Sequence, residues 1–574
     1  MNIDGAIEHR LVTNTSGESK EVLISLSGNA WSRAGDSKTR LFFSGYLSIG
    51  VQIARTADEL LVLLASERTD FFKGDTESVA EILRQANGSF AFILIRDNQL
   101  IAATDLIRSI PLYIVSSDNR ILLTDNVPFG RYPTVPDRLY DFVSMQYTMG
   151  KNTVYTGTET MRPAEYLILT PGSLPKRQRY FRYIYNPETE TRLTDEQLKE
   201  EFDEVMLTAF LRMVKSAPKD TQWAIPLSGG IDSRLIVNYL KRLNVENVCC
   251  YSYGVPGNSQ SVISEKVAVQ AGYSYEFVKY TEEKWDALHR NGLFDSYIHF
   301  AFNGDSIPHF QDFLAVHELK ERGLVNKQTI FVPGHNLGFL SDFVSKDDMY
   351  FHSAEEVADS VLRKNVKFAL NGTQTSRMRQ QVIRQILDEK IPLRSYMEYF
   401  LWENRHCKFT ANSVRVYEYF GFQWRMPYWD RSMIDFWLTT DLERRADQNF
   451  YKKMVRSNCM LPQIRSIPYA VNHNPVRRRF PVGFTNRLRP VRTNRFADLL
   501  ISAIFGKKNH VGEGLTQMYA TRASRIGRLI GPIHLWPKDL RPAILKIKNR
   551  NTTRINYHVL TALYTIHKLL QEKR

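Results

Sequence analysis

The sequence predicts an α/β protein with an N-terminal β-sandwich domain and a second domain that has a parallel β-sheet and a helical C-terminal part. Three observations support this. Short apolar runs separated by turn-forming residues fill the chain to about residue 185, apolar and amphipathic runs alternate from about residue 195, and helical patterns dominate beyond about residue 354. Because 574 residues are too many for one hydrophobic core, we predict domains at 1–185, 195–470 and 471–574, the last basic and mainly helical.

The first domain contains short runs that are typical of β-strands, with turn-forming residues between them. One helix is predicted over 78–86. Many short strands with few helices favour a sandwich of two sheets, and the polar stretch 183–194 is predicted to be a linker. The predicted strands lie at 22–26, 41–47, 90–95, 100–103, 112–115, 121–123 and 166–169.

The second domain alternates helices and strands, which is the pattern of a parallel sheet. A helix over 196–215 precedes the first strand, and the last strand ends at Pro333-Gly334-His335. Ligands of such sheets bind at the carboxyl ends of the strands, so we expect the functional site there. The predicted strands lie at 223–227, 245–253, 275–280 and 329–332, and the helices between them at 234–240 and 264–270.

The strongest functional signal is the loop Ser228-Gly229-Gly230-Ile231-Asp232-Ser233, between a predicted strand and a predicted helix. The two glycines allow the backbone to approach an anion closely. The serine hydroxyls and the amides at the helix N-terminus would then face that anion. Asp232 would repel a phosphate unless Mg²⁺ lies between them, so the loop predicts a site for pyrophosphate and its metal. The alternative is an ordinary turn; the GxxxxGK[ST] phosphate loop does not occur in the sequence.

This loop resembles the SGGxDS motif of the ATP pyrophosphatases, which cut ATP into AMP and pyrophosphate to adenylate a substrate. Segments on both sides of it resemble the asparagine synthetase B family in the same order. The resemblance implies an N-terminal-nucleophile-like sandwich followed by an ATP pyrophosphatase domain of the adenine nucleotide alpha hydrolase-like type. It implies ATP and Mg²⁺ as cofactors, held by Ser228, Gly229, Gly230, Asp232 and Ser233, with Asp232 on the metal. The resembling segments are 88–92, 105–108, 111–113, 150–163, 180–181, 425–430 and 451–456.

The first domain departs from this family at its catalytic residue. A glutaminase of the family uses a cysteine directly after the initiator Met, but Asn2 stands there and no cysteine precedes Cys249. We therefore predict that the domain releases no ammonia from glutamine. It resembles a retained scaffold, as in two relatives that do not use glutamine, β-lactam synthetase and lasso-peptide cyclase.

The second domain departs from the family at acidic positions. His335 stands where the family has a Glu, Gly338 where it has an Asp, and Gln423 replaces a further Glu. Asp232 with pyrophosphate oxygens is expected to suffice for Mg²⁺, and Asp342 is a candidate substitute acid. The chain resembles the polysaccharide-associated branch of the family best, through the segments 333–338 and 412–430.

Two residues are predicted to be catalytic. Lys452, in the segment that resembles the family's late lysine motif, would neutralise charge on pyrophosphate and on the acyl-adenylate oxyanion. The alternative is a solvated helix lysine, and Lys453 is the neighbour with which it could be confused. His335 would be a general base that deprotonates the attacking amine; the alternative is a structural histidine that caps the strand end.

Five further residues in the resembling segments are candidates for supporting roles. Arg415 and Arg425 either serve the site or form salt bridges to Asp430 or Glu418. Asp430 is expected to orient the site. Tyr417 and Glu418 could be a proton-relay pair, although adjacent residues of a helix do not face each other.

The chain is basic, with 76 Lys and Arg against 61 Asp and Glu and a formal net charge of +15. Such a surface favours phosphate-rich or acidic partners, namely nucleic acid, anionic lipid headgroups or acidic glycans, or it is a solvated face without a partner. Much of the charge lies late, at Arg477, Arg478, Arg479, Arg487, Arg489, Arg492, Arg495, Lys507, Lys508, Arg522, Arg525 and Arg528.

Composition also disfavours several classes of protein. No run reaches the roughly 18 apolar residues of a membrane span, and the run 60–65 is much too short. The N-terminus shows no secretion signal, so we expect a cytoplasmic protein, with peripheral membrane contact left open. The four cysteines form no ligand-like pairs, which favours core thiols and not a zinc site. Nothing in the sequence indicates an oligomeric state.

The resemblance implies an ATP-dependent amidoligase that adenylates a small-molecule or carrier-linked carboxylate and transfers it to ammonia or an amine. A sugar acid of a surface polysaccharide is the carboxylate that the branch suggests. The alternatives are a peptide macrocyclising ligase similar to the lasso cyclases and a non-catalytic nucleotide-binding descendant. A tRNA-modifying ATP pyrophosphatase ranks lower, since such enzymes do not usually resemble the glutaminase scaffold, and we therefore do not expect a nucleic-acid partner.

Overall fold

The computed structural model describes residues 9–15, 18–27, 30–66, 71, 75–254, 256–335, 345–367, 372–456, 459–469, 536 and 557–572. Within these residues, two mixed or antiparallel sheets come first and a parallel sheet follows. The predicted α/β class, with a β-sandwich before a parallel sheet and helices after it, is confirmed.

Two sheets stack face to face in the first part of the chain. One has the strand order β1-β2-β9-β8-β10, and the other has the order β12-β11-β7-β6-β4-β3 with β5 beside β4. Inward side chains of both sheets, such as Ile24 and Leu123 from one and Phe42 and Ile93 from the other, form one buried cluster between them. The strands are β1 His9–Thr15, β2 Glu18–Ser25, β3 Ser32–Gly35, β4 Thr39–Ile49, β5 Gln52–Ala54, β6 Ala86–Arg96, β7 Gln99–Thr104, β8 Tyr113–Ser117, β9 Arg120–Thr124, β10 Thr158–Thr160, β11 Glu165–Leu169 and β12 Lys176–Arg179.

Three helices accompany the sandwich: α1 Ala57–Ser66, α2 Thr76–Gln85 and α3 Pro136–Met145. The predicted helix over 78–86 corresponds to α2, whereas the sequence analysis identified neither α1 nor α3. The apolar run 60–65 belongs to α1, whose side chains Leu60 and Leu64 are buried in the main core. Burial in the hydrophobic core therefore explains why residues 60–65 are apolar.

The second part is built on a sheet in which every neighbouring pair of strands is parallel. Its order is β15-β14-β13-β16-β17, so β13 is central. The strands are β13 Trp223–Pro226, β14 Val248–Gly254, β15 Ser274–Lys279, β16 Ile330–Phe331 and β17 Gln423–Trp424. The helices up to β16 are α4 Asp195–Lys215, α5 Asp232–Arg242, α6 Ser259–Ala271, α7 Glu282–Arg290, α8 Leu293–Ala301 and α9 Phe313–Glu321. The parallel sheet was predicted, but β17 is too short for a sequence pattern to reveal.

The rest of the described chain is mainly helical, as predicted. Of the predicted extension 471–574, the structure describes Trp536 and 557–572, so the basic residues between 477 and 528 lie outside it. The helices are Ala354–Asn365, Gly372–Glu389, Leu393–Phe400, the π-helical Leu401–Thr410, Arg415–Tyr419, Arg431–Thr439, Leu442–Arg445, Asn449–Arg456, Pro462–Arg465 and Tyr557–Gln571. The last of these packs on α3, and its Tyr564 and Lys568 donate to Asp295 over 2.8 and 2.7 Å.

Buried ion pairs join the sandwich to the second part. Arg108 pairs with Asp305 over 2.5 Å, and both side chains are at most 4% exposed. Arg162 and Arg179 both bind Glu403, whose side chain is 1% exposed. We call these five residues the arginine–carboxylate network. It fixes the sandwich against the domain that carries the candidate site.

Two further expectations were that the cysteines are core thiols and that no segment spans a membrane. Cys249, Cys250, Cys407 and Cys459 are all buried, and none of the four forms a disulfide with another. In the parts of the chain that the structure describes, no helix has both the length and the apolar composition needed to cross a membrane.

Candidate functional site

The Ser228–Ser233 loop lies where the sequence analysis predicted it, between the end of β13 and the start of α5. Because β13 is the central strand, the loop is at the middle of the carboxyl edge of the parallel sheet. Ile231, at the N-cap of α5, offers no side-chain acceptor to the amides of the first helical turn. The amides at the first turn of a helix, together with the helix dipole, favour an anion at this point.

Two serines hold the loop in shape. The Ser228 amide donates to the Ser233 hydroxyl over 3.0 Å, and the two hydroxyls lie 3.0 Å apart. The Gly230 amide donates to the Ser228 hydroxyl over 3.3 Å, and Gly230 is exposed. The serine hydroxyls therefore fix the curvature of the loop, with Gly229 buried and Gly230 at the exposed side.

Two tyrosines fix Asp232, and the sequence analysis identified neither of them. The Tyr451 hydroxyl donates to the Asp232 carboxylate, and the Tyr428 hydroxyl donates to the Asp232 carbonyl oxygen. Burial, reinforced by Asp232, raises the pKa of both tyrosines well above the ordinary value of 10.0, so both remain protonated donors. Both lie in segments that carried the family resemblance, 425–430 and 451–456, which was the available signal.

Lys452 follows Tyr451 on the helix Asn449–Arg456 but makes a different contact. Its Nζ donates to the carbonyl oxygen of Asp447 over 3.4 Å. Within the described part of the chain, no hydrogen bond or ion pair joins Lys452 to the loop, and its catalytic role stays a prediction. Lys453, which is 60% exposed at its side chain, pairs with Asp195 over 3.0 Å.

His335 is brought to the loop by the glycine before it. A Cβ at Gly334 would lie 2.9 Å from the backbone nitrogen of Ser233, so only glycine allows this approach. Burial lowers the pKa of His335 below 6.5, against the opposing effect of the nearby Asp312 carboxylate, so the imidazole is neutral at pH 7. A neutral imidazole can accept a proton, and the role of His335 as a base stays a prediction. Asn2, Gly338 and Asp342 lie outside the described residues.

A carboxylate that the sequence analysis did not identify, Asp312, lies beside this strand end. Tyr253 donates to its Oδ1 over 2.5 Å, while Tyr417 and Tyr251 donate to its Oδ2 over 2.8 and 3.4 Å. We call these four residues the tyrosine–carboxylate cluster. A signal was present, because Tyr251 and Tyr253 alternate along a predicted strand and so share one face at its carboxyl end.

Arg415 and Arg425, which were predicted either to serve the site or to form salt bridges, differ in their partners. Arg415 forms the expected ion pair with Glu418, over 2.5 Å. Arg425 instead donates to the Ser216 hydroxyl over 2.8 Å and to the Ser216 carbonyl over 3.1 Å. Its guanidinium lies over the Tyr46 ring, and burial lowers its pKa to about 10. Arg415 and Arg425 are thus held by structural contacts.

The remaining expectations concern Asp430 and the Tyr417–Glu418 pair. Asp430 binds Arg212 and caps the following helix through the Ser432 amide, over 3.0 Å, so it orients the chain near the site. Tyr417 and Glu418 do not act on each other. Tyr417 donates to Asp312, whereas Glu418 accepts from Arg415 and from the Trp424 indole, as expected for adjacent residues that point apart.

The site has one carboxylate at the loop that could hold a metal, Asp232. Elsewhere in the described ranges, no cluster of three or more His, Cys, Asp or Glu side chains could bind one. Mg²⁺ is commonly held by one or two carboxylates together with phosphate oxygens and water. The residues present therefore fit Mg²⁺ bound with a polyphosphate, and they do not fit an ion held by protein ligands alone.

Comparisons with known proteins give weak structural likenesses. No family model matches the chain, and no curated protein sequence matches it. An NH3-dependent NAD synthetase from Campylobacter jejuni is 13% identical with a TM-score of 0.20, covering 38% of this chain and 96% of that one. A glutamine-dependent NAD(+) synthetase from Cytophaga hutchinsonii is 12% identical with a TM-score of 0.19, covering 68% and 90%.

A further solved structure, the glutamine PRPP amidotransferase from B. subtilis, is 13% identical with a TM-score of 0.18 and covers 43% of this chain and 72% of that one. These identities and TM-scores are too low to assign a family. The contacts within this chain, and not these likenesses, define the fold and the candidate site.

Proposed function

We propose that this protein is an ATP-dependent, AMP-forming amidoligase. The observation that carries the proposal is the Ser228–Ser233 loop at the carboxyl edge of the parallel sheet, with an uncapped helix start behind it and Asp232 fixed by Tyr451. The resemblance of its sequence to the asparagine synthetase B family supports the same chemistry.

In this proposal, the substrate carboxylate attacks the α-phosphorus of ATP, the bond to the β-phosphate oxygen breaks, and pyrophosphate leaves. The loop amides and the Ser228 and Ser233 hydroxyls receive the pyrophosphate. Asp232 would hold Mg²⁺, which when bound supplies positive charge to the phosphate oxygens. Lys452 would add a further cation as charge develops, and His335 would take a proton from the nitrogen nucleophile.

The nitrogen is proposed to come from ammonia or a substrate amine, since Asn2 cannot replace the glutaminase cysteine. The carboxylate is proposed to be a sugar acid, such as a hexuronic acid. The resemblance to the polysaccharide-associated branch supports this choice, and the net charge of +15 suits an acidic substrate.

Nucleotide chromatography after incubation with ATP, Mg²⁺, ammonium and a panel of hexuronic acids tests the proposal. AMP and pyrophosphate are the expected products. ADP as the main product would overturn the mechanism even if an amide forms. Exchange of labelled pyrophosphate into ATP, measured for each acid without ammonium, identifies which acid is adenylated.

A non-catalytic nucleotide-binding protein is the second candidate, and Gln423 favours it. Where the resembling family has an acid, the Gln423 amide oxygen accepts from Arg425 over 3.2 Å. This candidate predicts that Mg-ATP binds and that no acid supports pyrophosphate exchange. Calorimetric titration with Mg-ATP beside the exchange assay distinguishes the two functions.

A further inference from the structure

We propose that the tyrosine–carboxylate cluster around Asp312 is the acceptor subsite, where the nitrogen nucleophile binds as a cation, either ammonium or a protonated primary amine. The inference rests on the proposed ligase function and adds the chemical class of its second substrate. It also assigns roles to Asp312, Tyr251 and Tyr253, for which the sequence analysis had no function.

The cluster and the phosphate loop occupy the same edge of the parallel sheet. The Leu227 amide, directly before the loop, donates to the carbonyl oxygen of Tyr251 over 2.8 Å. On the other side of β13, Phe331 stacks on Tyr417 with ring centroids 4.6 Å apart. Gly334, three residues after Phe331, contacts Ser233. A group bound at Asp312 is therefore beside His335 and next to the loop.

The charge of Asp312 is left uncompensated by its neighbours. Among the residues that the structure describes, its hydrogen-bond partners are the three tyrosines, and no lysine or arginine forms an ion pair with it. Burial raises the pKa of Tyr251, Tyr253 and Tyr417 well above 10.0, so all three stay neutral. The three tyrosines supply hydrogen bonds and no positive charge, so the half-buried carboxylate is open to a cationic ligand.

Asp312 does not act as a helix cap. It is the N-cap residue of α9, where an aspartate commonly accepts helix amides, yet its side chain makes no capping bond. The carboxylate is turned toward the end of β14 instead. Capping of α9 therefore does not account for an acid at this position.

Aromatic rings around the carboxylate favour an ammonium-type cation over a metal ion. Tyr253 stacks on Tyr280 with centroids 5.1 Å apart, and Tyr251 lies edge-on to Phe331 at 6.0 Å. Ring faces attract alkylammonium groups. Mg²⁺ and Ca²⁺ need several oxygen ligands, and one carboxylate whose neighbours donate hydrogens to it does not supply them.

The step at this subsite is the attack of the amine nitrogen on the acyl-adenylate. A bound R–NH₃⁺ gives one proton to the neutral His335 imidazole, and its nitrogen lone pair forms the C–N bond to the acyl carbon. The bond from that carbon to the adenylate oxygen breaks, and AMP leaves with the electron pair. The nitrogen releases its second proton to solvent. The products are the amide, AMP and two protons.

Saturation-transfer NMR with ethylammonium chloride tests the subsite without any turnover. Wild type should show transfer to the ethyl protons, and Asp312→Asn, which keeps the shape, should lose it. Asp203→Asn is the matched control, because Asp203 also accepts a tyrosine hydroxyl, from Tyr239 over 2.6 Å, but is paired with Arg242 over 2.8 Å. The control should bind ethylammonium as wild type does. Equal transfer in wild type and Asp312→Asn, or none in wild type, would overturn the inference.

Two additions keep the test decisive. If circular dichroism shows that Asp312→Asn is unfolded, Tyr253→Leu replaces it, with the same loss of transfer expected and unchanged transfer overturning the inference. Ammonium chloride should displace ethylammonium more strongly than potassium chloride if the nucleophile is free ammonium. If it displaces no more than potassium does, the subsite takes a primary amine.

Turnover separates this inference from the proposed function. With glucuronate as the acid, Asp312→Asn should raise KM for the amine about tenfold or more, as expected for losing a charged hydrogen bond, and should leave pyrophosphate exchange unchanged. Exchange that fails with every acid while ethylammonium still binds at Asp312 would remove the ligase proposal and leave Asp312 as a cation site without an acceptor role. Normal exchange with an unchanged amine KM would remove the subsite alone.

Discussion

The carboxylates of the arginine–carboxylate network and those at the carboxyl edge of the parallel sheet have different hydrogen-bond partners. In the network, Asp305 and Glu403 are 2% and 1% exposed at their side chains and are held by arginines. At the sheet edge, Asp232 and Asp312 accept hydrogen bonds from tyrosines. An arginine neutralises a carboxylate, whereas a phenol satisfies its lone pairs and leaves its charge.

This difference indicates where the molecule keeps charge for a ligand. Buried charges are normally paired or bind metals, because an unpaired one is costly. The network meets that requirement inside the protein, so its acids serve the junction between the two parts. At the sheet edge, Asp312 pairs with no lysine or arginine among the described residues, so it suits a cation that arrives with a substrate. Loss of charge should therefore reduce stability in the network and ligand binding at the edge.

The largest effect is expected from Glu403→Gln. Removing this charge leaves Arg179, whose side chain is 6% exposed, without its carboxylate partner, whereas Arg162 keeps its ion pair with Glu389. Breaking a buried pair costs about 3–5 kcal/mol. Urea denaturation at pH 7 measures the loss in free energy of unfolding. A loss below about 1 kcal/mol would show that the network contributes little and would remove the contrast with the sheet edge.

The same variant has a defined pH dependence. Burial raises the pKa of Glu403, but Arg179 and Arg162 outweigh it and hold the pKa below the ordinary value of 4.5. A lowered pKa contributes stability above the ordinary value and loses it as pH falls through the folded-state value. The stability difference between wild type and Glu403→Gln should therefore be full above pH 4.5 and shrink below it.

The next largest effect is expected from Lys452→Ala. If Lys452 neutralises charge as the adenylate forms and reacts, turnover should fall by about 10²–10³, as when one oxyanion donor is removed. Lys453→Ala is the matched control, since Lys453 pairs with Asp195. Turnover of both variants within threefold of wild type would contradict the assignment of Lys452.

Asp232→Ala should weaken Mg-ATP binding and leave the fold intact. The expected loss is at least the roughly 10–100-fold seen when a supporting residue of a metal site is removed. Calorimetry with ATP in the presence and absence of Mg²⁺ measures it. Equal affinity of wild type and variant would show that the metal is not held at the loop, and a large loss of stability would place Asp232 with the network acids.

The smallest effect is expected for the stability of Lys453→Ala. Its ion pair with Asp195 is solvent-exposed, and such pairs contribute about 0–1 kcal/mol. Thermal unfolding should shift little. A shift as large as that of Glu403→Gln would mean that exposure does not separate the two kinds of ion pair in this protein.

The sequence predicts those strands, helices and loops whose pattern lies within one continuous segment of the chain. The strands of the sandwich follow apolar runs, and the phosphate loop is one uninterrupted segment between a strand and a helix. The tyrosine–carboxylate cluster could not be predicted in this way, because β14, the start of α9 and the helix Arg415–Tyr419 meet only in the folded chain. Tyr451 was missed because the resemblance directed attention to Lys452. Helix α1 was missed because its buried run is apolar on too many sides to show a clear period.

The packing of the helix Tyr557–Gln571 on α3 has a consequence for biosynthesis. Its side chains Leu563, Ile566 and Leu569 are fully buried. At the usual 5–20 residues per second, the roughly 400 residues between the end of α3 and this helix take a ribosome about 20–80 s to add. During that interval, the helix Tyr557–Gln571 does not yet cover the face of α3 on which it packs in the folded protein. The nascent chain therefore reaches its native packing there only after translation of the last helix.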